Sequence, residues 1–448
     1  MEKPKGFLIS CGEEVYPEQW IRNAIEEVRT ATALLNIDWV RQEIILSDED
    51  VEQVGKNLSG MRPDFIVLHF VSWHITPRIM NVLKDYQGIP IVCWAVGGKK
   101  DYEGKIHSPA AAAAITSILP ILKEQGRMVQ VIIEMPDEEH KLAELEKFAQ
   151  VAKVYSEIKN IRIGLVGYAD MGLFTCAYDK ADIFNRFGIE VEDYFSYEIA
   201  KLMEDCDQEI EGIIEDIREK FIFENDIPMD ALEKTARLYF ALKTKVIKRK
   251  LDAISIKCVT GVTQHMGINP CMAQSLLADA KISVICECDL HGLITNVVLS
   301  KLTEQTSCFM ENYEFFNDSI LVGTCGFMPC DFGSKPLKAR STRLGNFFYG
   351  IANVSDTKEG VVTYARLFKE KGEYKMFLGK GIAEKAPDWI ELGWEAPTPK
   401  FPSLKIRLET PVQNYVETVP GQHIILVYGD YVEQLKQLCK MLNLETVM

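Results

Sequence analysis

The chain has no apolar run long enough to cross a membrane: its longest, such as residues 66–71 and 424–428, are strand-sized against the ~20 residues a spanning helix needs. Positive charge is in deficit. Fifty Lys and Arg stand against 65 Asp and Glu, giving a net charge of −15 and a pI near 5.1, which opposes a sequence-independent grip on phosphate backbones or anionic lipid. Nucleic acid and membrane surface are therefore not expected as partners. The opening MEKPKGFLIS lacks the apolar stretch and small-residue cleavage site of a secretory leader, so a cytoplasmic protein is expected. No GxxxxGK[ST] stretch occurs, which excludes P-loop nucleotide chemistry, and Gly164, Gly167 and Gly172 do not have the GxGxxG spacing of a dinucleotide site. The 12 cysteines include no repeated CxxC pair that would indicate a zinc-thiolate centre. Many sit in apolar runs, as Cys93 does in IVCW and Cys286 in VICE, where a reduced thiol behaves as a small hydrophobe. No internal repeat or low-complexity segment is present.

What remains is an ordinary globular composition: 448 residues, 47% hydrophobic and 26% charged, with a mean hydropathy of −0.04. At ~100–200 residues per domain this is chain for about three domains. Short β-branched runs (GFLIS, EIIL, DFIVLHF, IPIVCWAV, VQVIIE) alternate with amphipathic stretches, the pattern of a parallel sheet covered by helices. A helix is expected over 137–158, then a second such unit begins at IRIGLVG, with strands expected over 161–166, 189–194, 253–258 and 282–286. After Cys330 the helical period stops. GVVTYARLF, YKMFLGKG, SLKIRLET, NYVETV and QHIILVYG read as short strands of an antiparallel sheet or barrel, with one closing helix over 432–442. The expected architecture is α/β: two doubly wound, Rossmann-like α/β domains over 1–158 and 159–330, followed by a β-barrel-like domain over 331–448.

The chemistry concentrates after residue 283, where acids interrupt apolar runs in SVICECDLHG and SCFMENYEF. A strand period of two puts Glu287 on one face and Cys286 and Cys288 on the other, at the carboxyl end of a parallel strand, where open α/β sheets bind ligands. Glu311 likewise follows the apolar CFM. A carboxylate in such surroundings is costly unless it meets a cation or takes a proton, so the two acids point to a metal site or an acid/base pair. Facing solvent at a strand end is the alternative for each.

CECDLHG, then FMENY with Glu311 24 positions after Glu287 (311 − 287 = 24), then LVGTCGFMP and PGQHIILVYGD together resemble the L-fucose and L-arabinose isomerase superfamily. The resemblance implies two α/β domains with a C-terminal barrel, and a divalent ion held by Glu287, Glu311 and His423. The ion would be Mn²⁺, or another divalent cation such as Mg²⁺ or Co²⁺, with the two glutamates also moving protons. Where the arabinose-type enzymes have a fourth ligand, a histidine, this chain has Thr324. VSWHITPRIM resembles the segment that reaches a neighbouring subunit's pocket, which makes Trp73 and His74 candidate sugar contacts and implies a homo-oligomer, a trimer or a hexamer. His265, in a loop after an expected strand, is a further pocket candidate. The four other histidines, His69, His107, His140 and His291, are assigned to structure or surface.

These residue types suit an aldose–ketose interconversion without the resemblance. The reaction removes a proton beside a carbonyl, passes through an enediol and returns the proton to the neighbouring carbon. Two carboxylates and one imidazole hold a hard divalent ion while leaving positions for two substrate oxygens. The expectation is a ketol isomerase acting on a free sugar. The alternatives are a non-catalytic sugar-binding protein and a related metal-dependent epimerase or lyase, the latter suggested by Thr324.

Overall fold

The computed structural model describes residues 2–100, 105–136, 138–205, 207–344, 348–386 and 402–448. They fall into two compact units, Met1–Ser156 and Glu157–Met448. In the first, β1 (Lys5–Cys11), β2 (Asp38–Ile45), β3 (Phe65–Phe70), β4 (Ile91–Val96) and β5 (Val129–Glu134) form one sheet in the order β2-β1-β3-β4-β5. Every neighbouring pair is parallel. All of FIVLHF in β3 is buried, because helices cover both faces of such a sheet. Helices Asp48–Leu58, Thr76–Leu83 and Ala111–Glu124 pack Val54, Leu58, Ile79, Val82, Ile115 and Ile118 against Phe7, Ile9, Ile66 and Leu68. Helix Leu142–Ile158 instead brings Phe148 edge-on to Phe65. That helix starts later than the expected residue 137, which itself lies outside the described residues.

The second unit opens with β6 (Arg162–Val166), β7 (Glu190–Tyr194), β8 (Ala253–Ile256) and β9 (Ser283–Cys286), parallel throughout in the order β9-β8-β6-β7. Helix Leu290–Thr303 follows, and every residue from Leu290 to Leu299 is buried. A helix without a polar face has no amphipathic period, which is why the sequence pattern does not announce it. The chain then closes a six-stranded barrel from β10 (Cys308–Phe315), β11 (Ser319–Gly323), β12 (Gly360–Glu370), β13 (Glu373–Lys385), β14 (Ser403–Leu408) and β15 (His423–Tyr428). Its order is β12-β15-β10-β11-β14-β13, with β13 pairing back to β12. Two of these strands, β10 and β11, precede residue 331. Closure gives each of the six strands a neighbour on both sides, and Met310, Ile320, Val322, Phe377, Ile406 and Ile424 fill the interior. NYVETV is not a strand. It lies in helix Val412–Thr418, started by Pro411, with Tyr415 buried once in its two turns and packed on the barrel core; proline before a first turn favours a helix there, and the short apolar run misled the period.

Candidate metal centre

Ile256, the last residue of β8, pairs with Val166 of β6 on one side and Cys286 of β9 on the other. The residues that follow, Gly167, Lys257 and Glu287, therefore all leave the sheet at its carboxyl edge, where parallel sheets present ligands. Here the structure corrects the expected alternation. β9 stops at Cys286, and Glu287 and Cys288 both adopt left-handed backbone, with φ of 67° and 51°. Each such non-glycine conformation costs on the order of 1–3 kcal/mol and persists only where its surroundings impose it. The Asp170 N–H donates to the Glu287 carbonyl at 3.1 Å. The Asp170 carboxylate is itself fixed by the backbone N–H groups of Val259 and Thr260 at 2.6 and 3.1 Å. Asp289 then caps helix Leu290–Thr303 by accepting from the Gly292 N–H. The two flanking thiols turn into packing, as expected: Cys286 donates to Gln274 Oε1 and Cys288 to the Val166 carbonyl, each at 3.3 Å.

The barrel supplies the other half of the site. His423 begins β15 and lies opposite Glu311 of β10 in antiparallel register, which puts the two side chains on one face about 5 Å apart at Cβ. Its imidazole is fully buried between two acids: Nδ1 bonds Asp289 Oδ2 at 2.9 Å, and Nε2 lies 2.9 Å from Glu287 Oε2. The second contact is of a different kind. Nε2 and Oε2 are close enough for an ion pair but lack the angle of a hydrogen bond, and neither has any other partner. Two buried, unsatisfied donor atoms facing one point at this spacing are what a shared cation requires, since ligand bonds of ~2.0–2.2 Å put adjacent donors ~3 Å apart. The Asp289 bond to the opposite ring nitrogen is the support that a metal-binding imidazole usually has. Asp289 in turn is held by Arg366 of β12, whose Nη1 and Nη2 both bond its carboxylate and whose Nη2 also reaches the Thr175 carbonyl at 3.1 Å.

The electrostatics separate the acids. Burial works against ionisation of Asp289, but Arg366 and His423 outweigh it and hold its carboxyl well below the usual range. Glu311 is pushed the other way, to about 7, by burial and by the negative charge of Glu287. Burial alone would lower the His423 pKa; its bond to Asp289 and the proximity of Cys176 and the Glu287 carboxylate reverse that and raise it well above the ordinary value. One carboxylate is thus a fixed anion, while the other gains or loses a proton near neutrality.

Cys176, Asp289 and His423 also offer ligand atoms within 4.8 Å of one another, all buried, so a metal could be held on that side of the ring. Two features favour the Glu287 side. Asp289 is already neutralised by Arg366 and occupied by Nδ1, whereas Nε2 and Glu287 Oε2 have nothing to bind. Thr324 follows β11, whose Gly323 pairs with Glu311. It is buried, and its Oγ1 accepts from the Gly326 N–H at 3.4 Å. His265 is exposed on the short helix Gln264–Met266 in the same unit. Trp73 and His74 belong to the first unit: the indole is 43% exposed, hence not a core residue, and His74 is buried with Nδ1 lacking a partner.

Four residues of the site go beyond the sequence reading: Asp289, Arg366, Cys176 and Asp170. Asp289 carried a signal, being a capping residue type directly before a helix. Arg366 carried one too, a lone arginine among the apolar residues of GVVTYARLF, since a buried arginine implies a buried partner. Cys176 and Asp170 had none.

Residues 336–448, which include Arg366 and His423, match the family described as L-fucose isomerase, C-terminal domain. Over 416 residues the chain is 22% identical to the sulfoquinovose isomerases of Priestia aryabhattai and Priestia megaterium, covering 90% of this chain and 90% of each of those. It is 23% identical over 433 residues to the sulfoquinovose isomerase of a Clostridium species (strain MSTE9), covering 94% of this chain and 93% of that one. The match over residues 336–448 and the 22–23% identity to sulfoquinovose isomerases over 90–94% of the chain are what a divergent relative of the L-fucose isomerase superfamily would show.

Proposed function

We propose that the chain is a divalent-metal-dependent aldose–ketose isomerase acting on a free sugar, with Glu287, Glu311 and His423 as the residues that hold the ion. The observation that carries this reading is the pair of buried, unpartnered atoms, Glu287 Oε2 and His423 Nε2, 2.9 Å apart beside Glu311. A carboxylate-rich donor set with one imidazole suits Mn²⁺, Mg²⁺ or Co²⁺. When bound, such an ion supplies Lewis acidity that stabilises negative charge on the substrate oxygens. The proton work falls to the chain. Glu311 takes the proton from the carbon beside the carbonyl and returns it to the neighbouring carbon, acting as base in the first step and as acid in the second. Glu287 exchanges the hydroxyl proton on the adjacent oxygen. Asp289, held by Arg366, fixes the Nδ1 side of His423 so that Nε2 stays directed at Glu287.

The relatives' names make sulfoquinovose, a glucose bearing a sulfonate at its last carbon, the first substrate to test. The test is chromatographic analysis of the products formed from that sugar and from neutral aldoses, with Mn²⁺ and with chelator. A ketose formed only with the metal supports the reading; sugar binding without conversion favours a non-catalytic binding protein. Trp73 and His74 are proposed sugar contacts that complete the pocket of a neighbouring chain in a closed symmetric oligomer, a trimer or a hexamer. Light scattering together with the turnover of Trp73→Ala tests this, and a fully active monomer would remove it.

A further inference from the structure

Lys257 is a charge that the isomerase chemistry leaves unused. It follows β8 directly, one residue past Ile256, whose register partners Val166 and Cys286 precede Gly167 and Glu287 at the carboxyl edge of the same sheet. Its stem is confined by two glycines. A Cβ on Gly167 would lie 2.8 Å from Lys257 Cβ, and one on Gly261 would lie 3.0 Å from Lys257 Cβ and Cγ. The ammonium stands 3.6 Å from the centroid of the Tyr168 ring, and Tyr168 is itself exposed. Other lysines of this unit, Lys220, Lys245 and Lys281, each hold a carboxylate at 2.6 to 2.7 Å. Lys257 makes no ion pair among the described residues. A ring face orients an ammonium without neutralising it. In a chain of net charge −15, whose nearby Asp170 is committed to backbone N–H groups, an oriented and unneutralised cation at the same sheet edge as Glu287 is placed to receive an anion from outside.

We infer that Lys257 determines substrate specificity: it binds an anionic substituent, a sulfonate, at the end of the sugar remote from the reacting carbons, with Tyr168 holding the ammonium in place. This rests on the isomerase reading above. A sulfonate is fully charged at every pH at which the enzyme would work, and its three oxygens match the three donors of an ammonium. The reacting carbons at one end of the hexose would face Glu287 and Glu311, while the charged end faces Lys257. Neutral aldoses would leave the lysine without a partner and bind more weakly.

The experiment compares wild type, Lys257→Met and Lys257→Arg as full-length, Mn²⁺-loaded proteins, with sulfoquinovose and its neutral counterpart 6-deoxyglucose as substrates. In Lys257→Met the ratio of kcat/KM for sulfoquinovose to that for 6-deoxyglucose should fall by about 10- to 100-fold, the effect of one charge-assisted contact. The loss should lie mainly in KM, and Lys257→Arg should recover most of it. An equal loss on both sugars, or an unchanged ratio, would overturn the inference. Calorimetric binding of sulfoquinovose to the same proteins separates this from the isomerase reading. Binding that depends on Lys257 without turnover would sink the isomerase and keep the anion site; turnover of sulfoquinovose indifferent to Lys257→Met would keep the isomerase and sink the anion site.

Discussion

Replacing Arg366 by Met tests how the site is held. The guanidinium is fully buried, and both of its amino groups bond Asp289, itself fully buried. Methionine fills much of the stem volume and removes the charge, leaving Asp289 without its counter-ion in a dry interior. Breaking one side of a buried pair costs about 3–5 kcal/mol, most of it the desolvated charge left behind. Denaturant titration of metal-free Arg366→Met should show a loss of that size. Asp289→Asn in the same background should restore part of it, giving a coupling of about 1–3 kcal/mol between the two positions. Because Asp289 also fixes the ring of His423, Mn²⁺ affinity should fall about 10- to 100-fold in Arg366→Met, the usual effect of removing support behind a metal ligand. Additive stability losses, or an Arg366→Met protein that binds Mn²⁺ as tightly as wild type, would refute the chain of contacts from Arg366 to His423.

Glu287→Gln and Glu311→Gln should each keep the fold and lower turnover by at least ~10²-fold, as expected for a lost proton carrier; a normally active variant of either would exclude that residue from the proton path. Metal-free protein should be less stable at pH 8 than at pH 5. Glu311 is raised from 4.5 to about 7 on folding, so its contribution is complete below 4.5 and lost as pH rises through about 7, and Glu311→Gln should flatten the melting curve across that window. Gly292→Ala would set a Cβ 2.8 Å from Asp289 Oδ2 and 3.1 Å from Ile285 Cδ1, an overpacking expected to cost about 1–3 kcal/mol by denaturant titration. Gly55→Ala, inside helix Asp48–Leu58 with nothing within 4 Å of its Cβ, should instead stabilise by about 0.4–1 kcal/mol.

The parallel sheets were legible because buried strands separated by amphipathic helices leave a period of two and a period of 3.6 in the residues themselves. The proposed ligands Glu287, Glu311 and His423 stood out in the sequence as charged or titratable groups inside apolar runs; in the fold His423 is the register partner of Glu311 and lies 2.9 Å from Glu287. What the chain hides is whatever depends on contacts far apart along it or on backbone shape. The Asp289–Arg366 pair spans 77 positions. Helix Leu290–Thr303 is buried around its whole circumference over its first ten residues and so lacks the polar stripe that marks a surface helix. The left-handed turn at Glu287 and Cys288 has no glycine to announce it, since it is imposed by the Asp170 bond from a loop more than a hundred residues earlier rather than by local preference.

Manganese titration followed by electron paramagnetic resonance, on wild type and on four single variants, tests most directly whether Glu287, Glu311 and His423 hold the ion. Wild type should bind one Mn²⁺ per chain. Glu287→Gln, Glu311→Gln and His423→Gln should each weaken that binding by at least ~10-fold, whereas Cys176→Ser, on the other side of the imidazole, should bind as wild type does. Loss of the ion in Cys176→Ser with retention in Glu287→Gln and Glu311→Gln would place the metal among Cys176, Asp289 and His423 and contradict the proposed centre.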